Sequence, residues 1–192
     1  MVTKLQNVPL LEVPESYRKV LSYFFSFPSR PLGLSSLSQQ INSSKTSVKL
    51  AVNTLIKQGF LQKEEIGKAW RLSANPKSQL MITKKIPYNL QLVYESGLVN
   101  AVYQKIPNAR AIILFGSYRW GTDNEKSDLD LAVEILDNKE LKIEPLGVIG
   151  QFGLRKNVTV NLHLFSRNKI DLNLFTNIAN GIVLDGLLEV HP

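Results

Sequence analysis

Two aspartates one residue apart, Asp128 and Asp130, stand in the run Ser127-Asp128-Leu129-Asp130-Leu131-Ala132-Val133-Glu134. In a strand successive side chains point to opposite faces, so both aspartates share one side while Leu129, Leu131 and Val133 turn to the core. Two like charges held side by side ask for a cation between them, and hard cations such as Mg2+ prefer carboxylate and phosphate oxygens. The pair reads as a metal clamp. Upstream, the apolar run Ala111 to Phe115 stops at Gly116-Ser117 and continues as Tyr118-Arg119-Trp120-Gly121. A strand that ends in Gly-Ser and hands over to a helix leaves free backbone N–H groups, and phosphate is their natural ligand. Gly116 permits close backbone approach, and Ser117 adds a hydroxyl.

Gly116-Ser117, ten further residues and then Asp128-x-Asp130 together resemble the nucleotidyltransferase superfamily that includes DNA polymerase beta, most closely its minimal nucleotidyltransferase branch. Arg119 and Gly121 sit where that branch carries a basic residue and a glycine. The resemblance runs from Asn89 to the C-terminus. It implies catalytic and Mg2+-binding roles for Asp128 and Asp130, and nucleoside triphosphate binding through Gly116, Ser117 and Arg119. Members that transfer nucleotides usually carry a third carboxylate on a later strand. Here the matching position, after Arg155 and Lys156 and inside Val-x-Leu, is Asn161. An amide oxygen ligates Mg2+ weakly and takes no proton at neutral pH. His163 lies two residues on, on the same face, as a substitute base or as ordinary hydrogen-bonded surface. Glu134 shares the aspartates' face but lies about 13 Å from Asp130 at about 3.3 Å per residue, too far to join one cluster.

The elements that position these residues follow from hydrophobic period. Leu90, Val93, Tyr94, Gly97, Leu98 and Ala101 predict a helix over Asn89 to Lys105, leading into the strand Ala111 to Phe115. Trp120 is expected to pack or act as a lid beside the phosphate turn. From Leu141 to Asn157 the pattern is irregular, with Pro145, Gly147, Gly150 and Gly153, and a helix is expected there. Asn157 to Phe165 alternates Val158, Val160, Leu162 and Leu164 with polar residues, which predicts a strand. A closing helix is expected over Asn168 to Asn180, ended by Gly181. Ile182 to Leu188 is then expected to cap a layer, and the last residues, His191 included, to fray.

The net charge of +7 hides an asymmetry: residues 1–85 carry 13 Lys+Arg against 4 Asp+Glu, and residues 86–192 carry 10 against 12. The basic half is the candidate for a polyanion. Tyr17, Val20, Leu21, Phe24 and Phe25 mark one face of a helix from Glu15 to Phe25, and Pro28 and Pro31 end it. A short helix follows over Leu34 to Ile41. Asn42-Ser43-Ser44 then supplies a turn and an N-cap for a third helix whose buried face is Val48, Val52, Leu55 and Ile56. Gly59 closes it, and Phe60 to Leu72 reads as two strands turning at Ile66-Gly67-Lys68. Glu15 to Leu72 resembles a winged helix-turn-helix DNA-binding domain. Lys45, Lys49 and Lys68 are its expected phosphate contacts, and Thr46, Ser47 and Asn53 its candidate base readers. A winged helix used only for packing or dimerisation is the plain alternative.

The fold expectation is therefore α+β: a winged helix-turn-helix domain over residues 1–75, a linker over 76–88, and a small mixed-sheet nucleotidyltransferase-like domain over 89–192. The chain is 44% apolar and 20% charged, ordinary for a globular protein. No apolar run approaches a membrane span of roughly 18–20 residues and Met1 to Pro14 has no signal-peptide pattern, so a cytoplasmic protein is expected. With no cysteine and two histidines, any metal is held mainly by oxygen. The expected partners are DNA and a nucleotide, and a homodimer is compatible with this use. Two functions are in play: a nucleotidyltransferase on a DNA-binding chain, or a DNA-binding transcriptional regulator whose second domain has lost transfer. Because minimal nucleotidyltransferases often accompany HEPN-type toxins, the resemblance extends the second reading to an antitoxin-like role.

Overall fold

The structure, a computed structural model, describes residues 13–190; His191 lies outside the described residues. The N-terminal part consists of α1 (Glu15–Ser26), β1 (Leu32–Gly33), α2 (Leu34–Gln40), α3 (Lys45–Lys57), β2 (Leu61–Ile66) and β3 (Ala69–Ala74). Its three strands form an antiparallel sheet in the order β1-β3-β2. The three helices bury one apolar face each. Val20, Phe24, Leu37, Val48, Val52 and Leu55 meet Phe60, just ahead of β2, and Leu72 of β3, all fully buried. Ser44 caps α3, its side-chain oxygen accepting from the Ser47 N–H at 3.1 Å, which satisfies one of the donors a helix start leaves open. Past the end of α3, Gly59 takes φ of +70°, the left-handed conformation that ends helices most cheaply when glycine supplies it.

The C-terminal part is a five-stranded sheet in the order β6-β7-β5-β4-β8. Its strands are β4 (Ala111–Phe115), β5 (Leu129–Glu134), β6 (Lys142–Phe152), β7 (Arg155–Phe165) and β8 (Ile182–Gly186). β5 and β7 run parallel, and the other neighbours are antiparallel. Each face buries its own side chains. Ile112, Leu114, Leu131 and Val133 pack with Val93, Leu98 and Val102 from α5 (Lys85–Glu95) and α6 (Leu98–Lys105). Ala111, Ile113, Phe115, Ala132 and Phe165 pack with Ile178 of α8 (Leu172–Ala179). The alternation expected of β5 thus sets Leu129, Leu131 and Val133 against the α5/α6 layer, with Asp130 and Glu134 on the α8 side.

Three expectations change. The helix expected over Leu141 to Asn157 is instead the edge strand β6, hairpinned onto β7 with a register shift between Pro145 and Gly147. Pro145 and the glycines erase any strand-like alternation, yet a proline and a bulge are tolerated on an edge strand. The helix expected over Asn89 to Lys105 is two helices, broken at Gly97, whose φ of +73° caps α6, and the first begins at Lys85. Pro87 lies in its first turn, where the missing N–H costs nothing. The closing helix starts at Leu172, after a 3-10 turn over Arg167–Lys169, because Asp171 caps it by accepting from Asn173 and Leu174 N–H groups. Between the two parts, α4 (Leu80–Thr83) occupies residues in the 76–88 stretch, and Phe25 of α1 lies 5.5 Å from the Tyr88 ring. Among the described residues, no helix is long and apolar enough to cross a membrane.

Candidate nucleotide site

The antiparallel pairing of β4 and β5 sets Phe115 directly opposite Asp130, which delivers the end of one strand to the start of the other. Immediately after Phe115 the chain turns into α7 (Gly116–Trp120). Gly116 takes φ of +69°, and a Cβ built there would stand 3.3 Å from Asp130 Oδ2. Glycine suits the backbone angle there, and a larger residue would also crowd the carboxylate. Asp128 precedes β5 and is exposed, while Asp130 is partly buried. The two aspartates and the Gly-Ser turn thus meet at one end of the β4–β5 pair.

The parallel pairing of β5 and β7 sets Asp130 beside Asn161 and Ala132 beside His163. Asn161 Nδ2 donates to Asp130 Oδ1 at 3.4 Å, and His163 Nε2 lies 3.2 Å from the same oxygen. The Phe115 ring meets the His163 imidazole edge-on at 4.9 Å, and His163 Nδ1 is buried with no hydrogen-bond partner among the described residues. His163 is accordingly tied to Asp130. Glu134, at the far end of β5, is 1% exposed and takes Arg167 Nη2 at 2.7 Å, so it serves a different cluster.

The resemblance implies Mg2+, and the donor set can be tested against it. Asp128 and Asp130 offer carboxylates and Asn161 an amide oxygen. Among the described residues, no group of three or more His, Asp or Glu side chains is gathered to hold a metal alone. Mg2+ keeps several waters and is commonly taken by one or two carboxylates together with substrate phosphates. The set fits that pattern, with Asp130 Oδ2 facing the glycine turn.

The supports of this corner were not legible as motifs. Arg155, 8% exposed at the start of β7, donates through Nη1 to the Tyr118 hydroxyl and through Nη2 to the Ser127 carbonyl at 2.6 Å. Lys85 of α5 lies 3.2 Å from Asp123 Oδ2 and also donates to the Asp123 carbonyl. Asn89 Nδ2 donates to Asp123 Oδ1 at 2.7 Å and to the Tyr118 carbonyl at 3.1 Å. Burial pushes the Lys85 ammonium pKa down and the Asp123 carboxyl pKa up, each opposed by the charge of the other. Burial also raises the Tyr118 phenol, which therefore stays protonated at neutral pH. The available signal was a basic residue opening a buried strand, at Arg155, and a lysine and asparagine at helical spacing in Lys85 and Asn89.

Arg119 donates through Nε to the Asn180 carbonyl at 2.7 Å and covers the Trp120 ring at 4.0 Å. Trp120 is 51% exposed, so it lies outside the core and packs against Arg119 on one face.

The sequence comparison joins this geometry at its centre. Residues 98–184 match the family model described as Polymerase beta, Nucleotidyltransferase. The matched stretch runs from α6 into β8 and includes Gly116, Ser117, Asp128, Asp130 and Asn161. No curated protein matches the chain significantly.

Outside the matched residues, Lys45, Thr46, Ser47 and Lys49 are exposed along the first turns of α3, Asn53 is half-buried on the same helix, and Lys68 stands at the β2–β3 turn. The Ser47 hydroxyl accepts from Ser44 at 2.9 Å. Trp70 of β3 sits between Lys49 and Lys63, whose ammonium groups lie 5.4 and 4.6 Å from its ring centre. One aromatic ring therefore ties α3 to the hairpin.

Proposed function

We propose that the C-terminal half binds a nucleoside triphosphate with Mg2+ and transfers a nucleotidyl group, and that the N-terminal half acts as a winged helix that holds the chain on DNA. The observation that carries the first part is the β4–β5 register, which puts Gly116 against Asp130. Gly116 and Ser117 receive the phosphates, Arg119 adds positive charge beside them, and Asp128 and Asp130 hold the metal. Mg2+, when bound there, neutralises charge that develops on the α-phosphate. An acceptor hydroxyl oxygen forms the new bond to the α-phosphorus, the bond to the bridging oxygen breaks, and pyrophosphate leaves with the electron pair. The acceptor's proton passes to solvent, because the Asn161 amide takes none. Asp128→Asn combined with Asp130→Asn is expected to abolish Mg2+-dependent nucleotide binding by calorimetry while leaving the far-UV circular dichroism unchanged. Equal binding by the double variant sinks the assignment.

For the N-terminal half, the supporting features are the exposed lysines of α3 and the hairpin turn. Replacing Lys45, Lys49 and Lys68 together by alanine is expected to lower the slope of log affinity against log salt by roughly 2–3, since each phosphate contact contributes about 0.9. An unchanged slope in filter binding to duplex DNA argues for a packing role instead.

One observation favours a second reading. Asn161 donates to the very carboxylate that a third acidic residue would help to bind metal. A chain that retains nucleotide binding without transfer would be a DNA-binding regulator with a nucleotide-sensing domain, or an antitoxin-like protein paired with a HEPN-type partner. A salt-sensitive, sequence-specific footprint on its own promoter, with no labelled nucleotide transferred, distinguishes this case.

A further inference from the structure

We infer that Arg155 is the positioning residue of the proposed nucleotide site, the group that fixes the distance between the Gly116-Ser117 turn and Asp128. This rests on the reading of that site as nucleotide-binding. The β4–β5 pairing reaches Asp130, but Asp128 lies ahead of β5 and is joined to α7 by residues 121–128, none of which lies in a helix or strand. Such a connection does not hold two ligand groups in register by itself, and a displacement of about 1 Å at a reacting centre costs on the order of 100-fold in rate. Arg155 bridges the two ends. One guanidinium nitrogen donates to the hydroxyl of Tyr118, one residue after Ser117, and another donates to the carbonyl of Ser127, one residue before Asp128.

The rest of the geometry supports a fork rather than a point charge at this position. Tyr118 is 2% exposed and its ring lies under the guanidinium, 5.8 Å from its carbon. Arg155 itself sits at the start of β7, the strand that carries Asn161 and His163 against Asp130. The planar guanidinium donates in two directions at fixed spacing, whereas a lysine ammonium on a flexible stem does not reproduce that fork. Asn89 fixes the carbonyl side of Tyr118 and, with Lys85, the middle of the connection at Asp123. Arg155 thus reaches both flanks of the site from a single guanidinium.

The test compares the full-length natural protein with Arg155→Lys, Tyr118→Phe and the double variant, titrating each of the four nucleoside triphosphates with Mg2+. Leu55→Val, a cut in the N-terminal core, serves as a control for general loss of stability. Arg155→Lys is expected to weaken Mg2+-dependent binding about 10- to 100-fold, with Leu55→Val at the natural value. Adding Tyr118→Phe to Arg155→Lys is expected to cost less than Tyr118→Phe alone, because the two share one contact. Binding by the natural protein that survives Arg155→Lys, or falls equally in Leu55→Val, overturns the positioning role alone. No binding by the natural protein overturns the reading of the site, and a nucleotide role for Arg155 with it.

Discussion

Lys85→Met is expected to lower the unfolding free energy by about 3–5 kcal/mol, the range for stripping one member from a buried ion pair. Lys85 is 1% exposed and Asp123 3%, so neither charge is compensated by water. With the lysine gone, Asp123 keeps only Asn89 as a side-chain donor. The double variant Lys85→Met with Asp123→Asn removes both charges and keeps an acceptor for Asn89. It is expected to recover at least about 2 kcal/mol of the loss, a coupling typical of residues in one network. Denaturant unfolding measures both, and strictly additive losses would contradict the account.

The same pair sets a pH dependence with a definite sign. The folded-state pKa of Asp123 is already raised above 3.8 by burial, against the lowering charge of Lys85. Removing that charge raises it further. A carboxyl with a raised folded pKa contributes stability that is complete below the unfolded value and is lost as pH rises through the folded one. Lys85→Met is therefore expected to gain stability relative to the natural protein as pH falls from 7 toward 4, and the Asp123→Asn double variant to lose that slope.

Asn161→Asp is expected to tighten Mg2+-dependent nucleotide binding by about tenfold, or about 1.4 kcal/mol. In the natural chain the Asn161 amide donates to Asp130 Oδ1 and partly offsets its charge. A carboxylate at that register position converts an attractive contact into repulsion, which a bound cation relieves. Without Mg2+ the variant is accordingly expected to be less stable than the natural protein by about 1 kcal/mol, from the lost hydrogen bond and the added charge. Thermal melts with Mg2+ and with chelator, run beside the titration, read both effects. A variant that neither binds more tightly nor depends on Mg2+ for stability would place Asn161 outside the metal's reach.

The parts of the fold that were legible in sequence are those where one periodicity ruled. Ala111 to Phe115 is buried throughout, β7 alternates, and α1 and α3 each present one apolar stripe, so their burial dictates their type. The edge strand β6 was hidden because its outer face meets solvent and its chain contains Pro145 and Gly147 at a register shift. In the site, Gly116, Ser117, Asp128 and Asp130 were readable because short spacing along the chain places them together. Lys85 and Asp123 lie 38 residues apart, and Arg155 lies 37 from Tyr118. A lysine near a proline-flanked stretch looks like solvated surface until the fold closes over it. Pairings at such separations are made by tertiary packing, which no local pattern encodes.

The central claim is that Gly116, Ser117, Asp128 and Asp130 form a nucleotide site that works with Mg2+. Calorimetric titration of the four nucleoside triphosphates into the natural protein, once with Mg2+ and once with chelator, tests it most directly. The account predicts saturable binding of at least one nucleotide with Mg2+ and its loss with chelator. A folded protein that binds none of the four in either condition would contradict it.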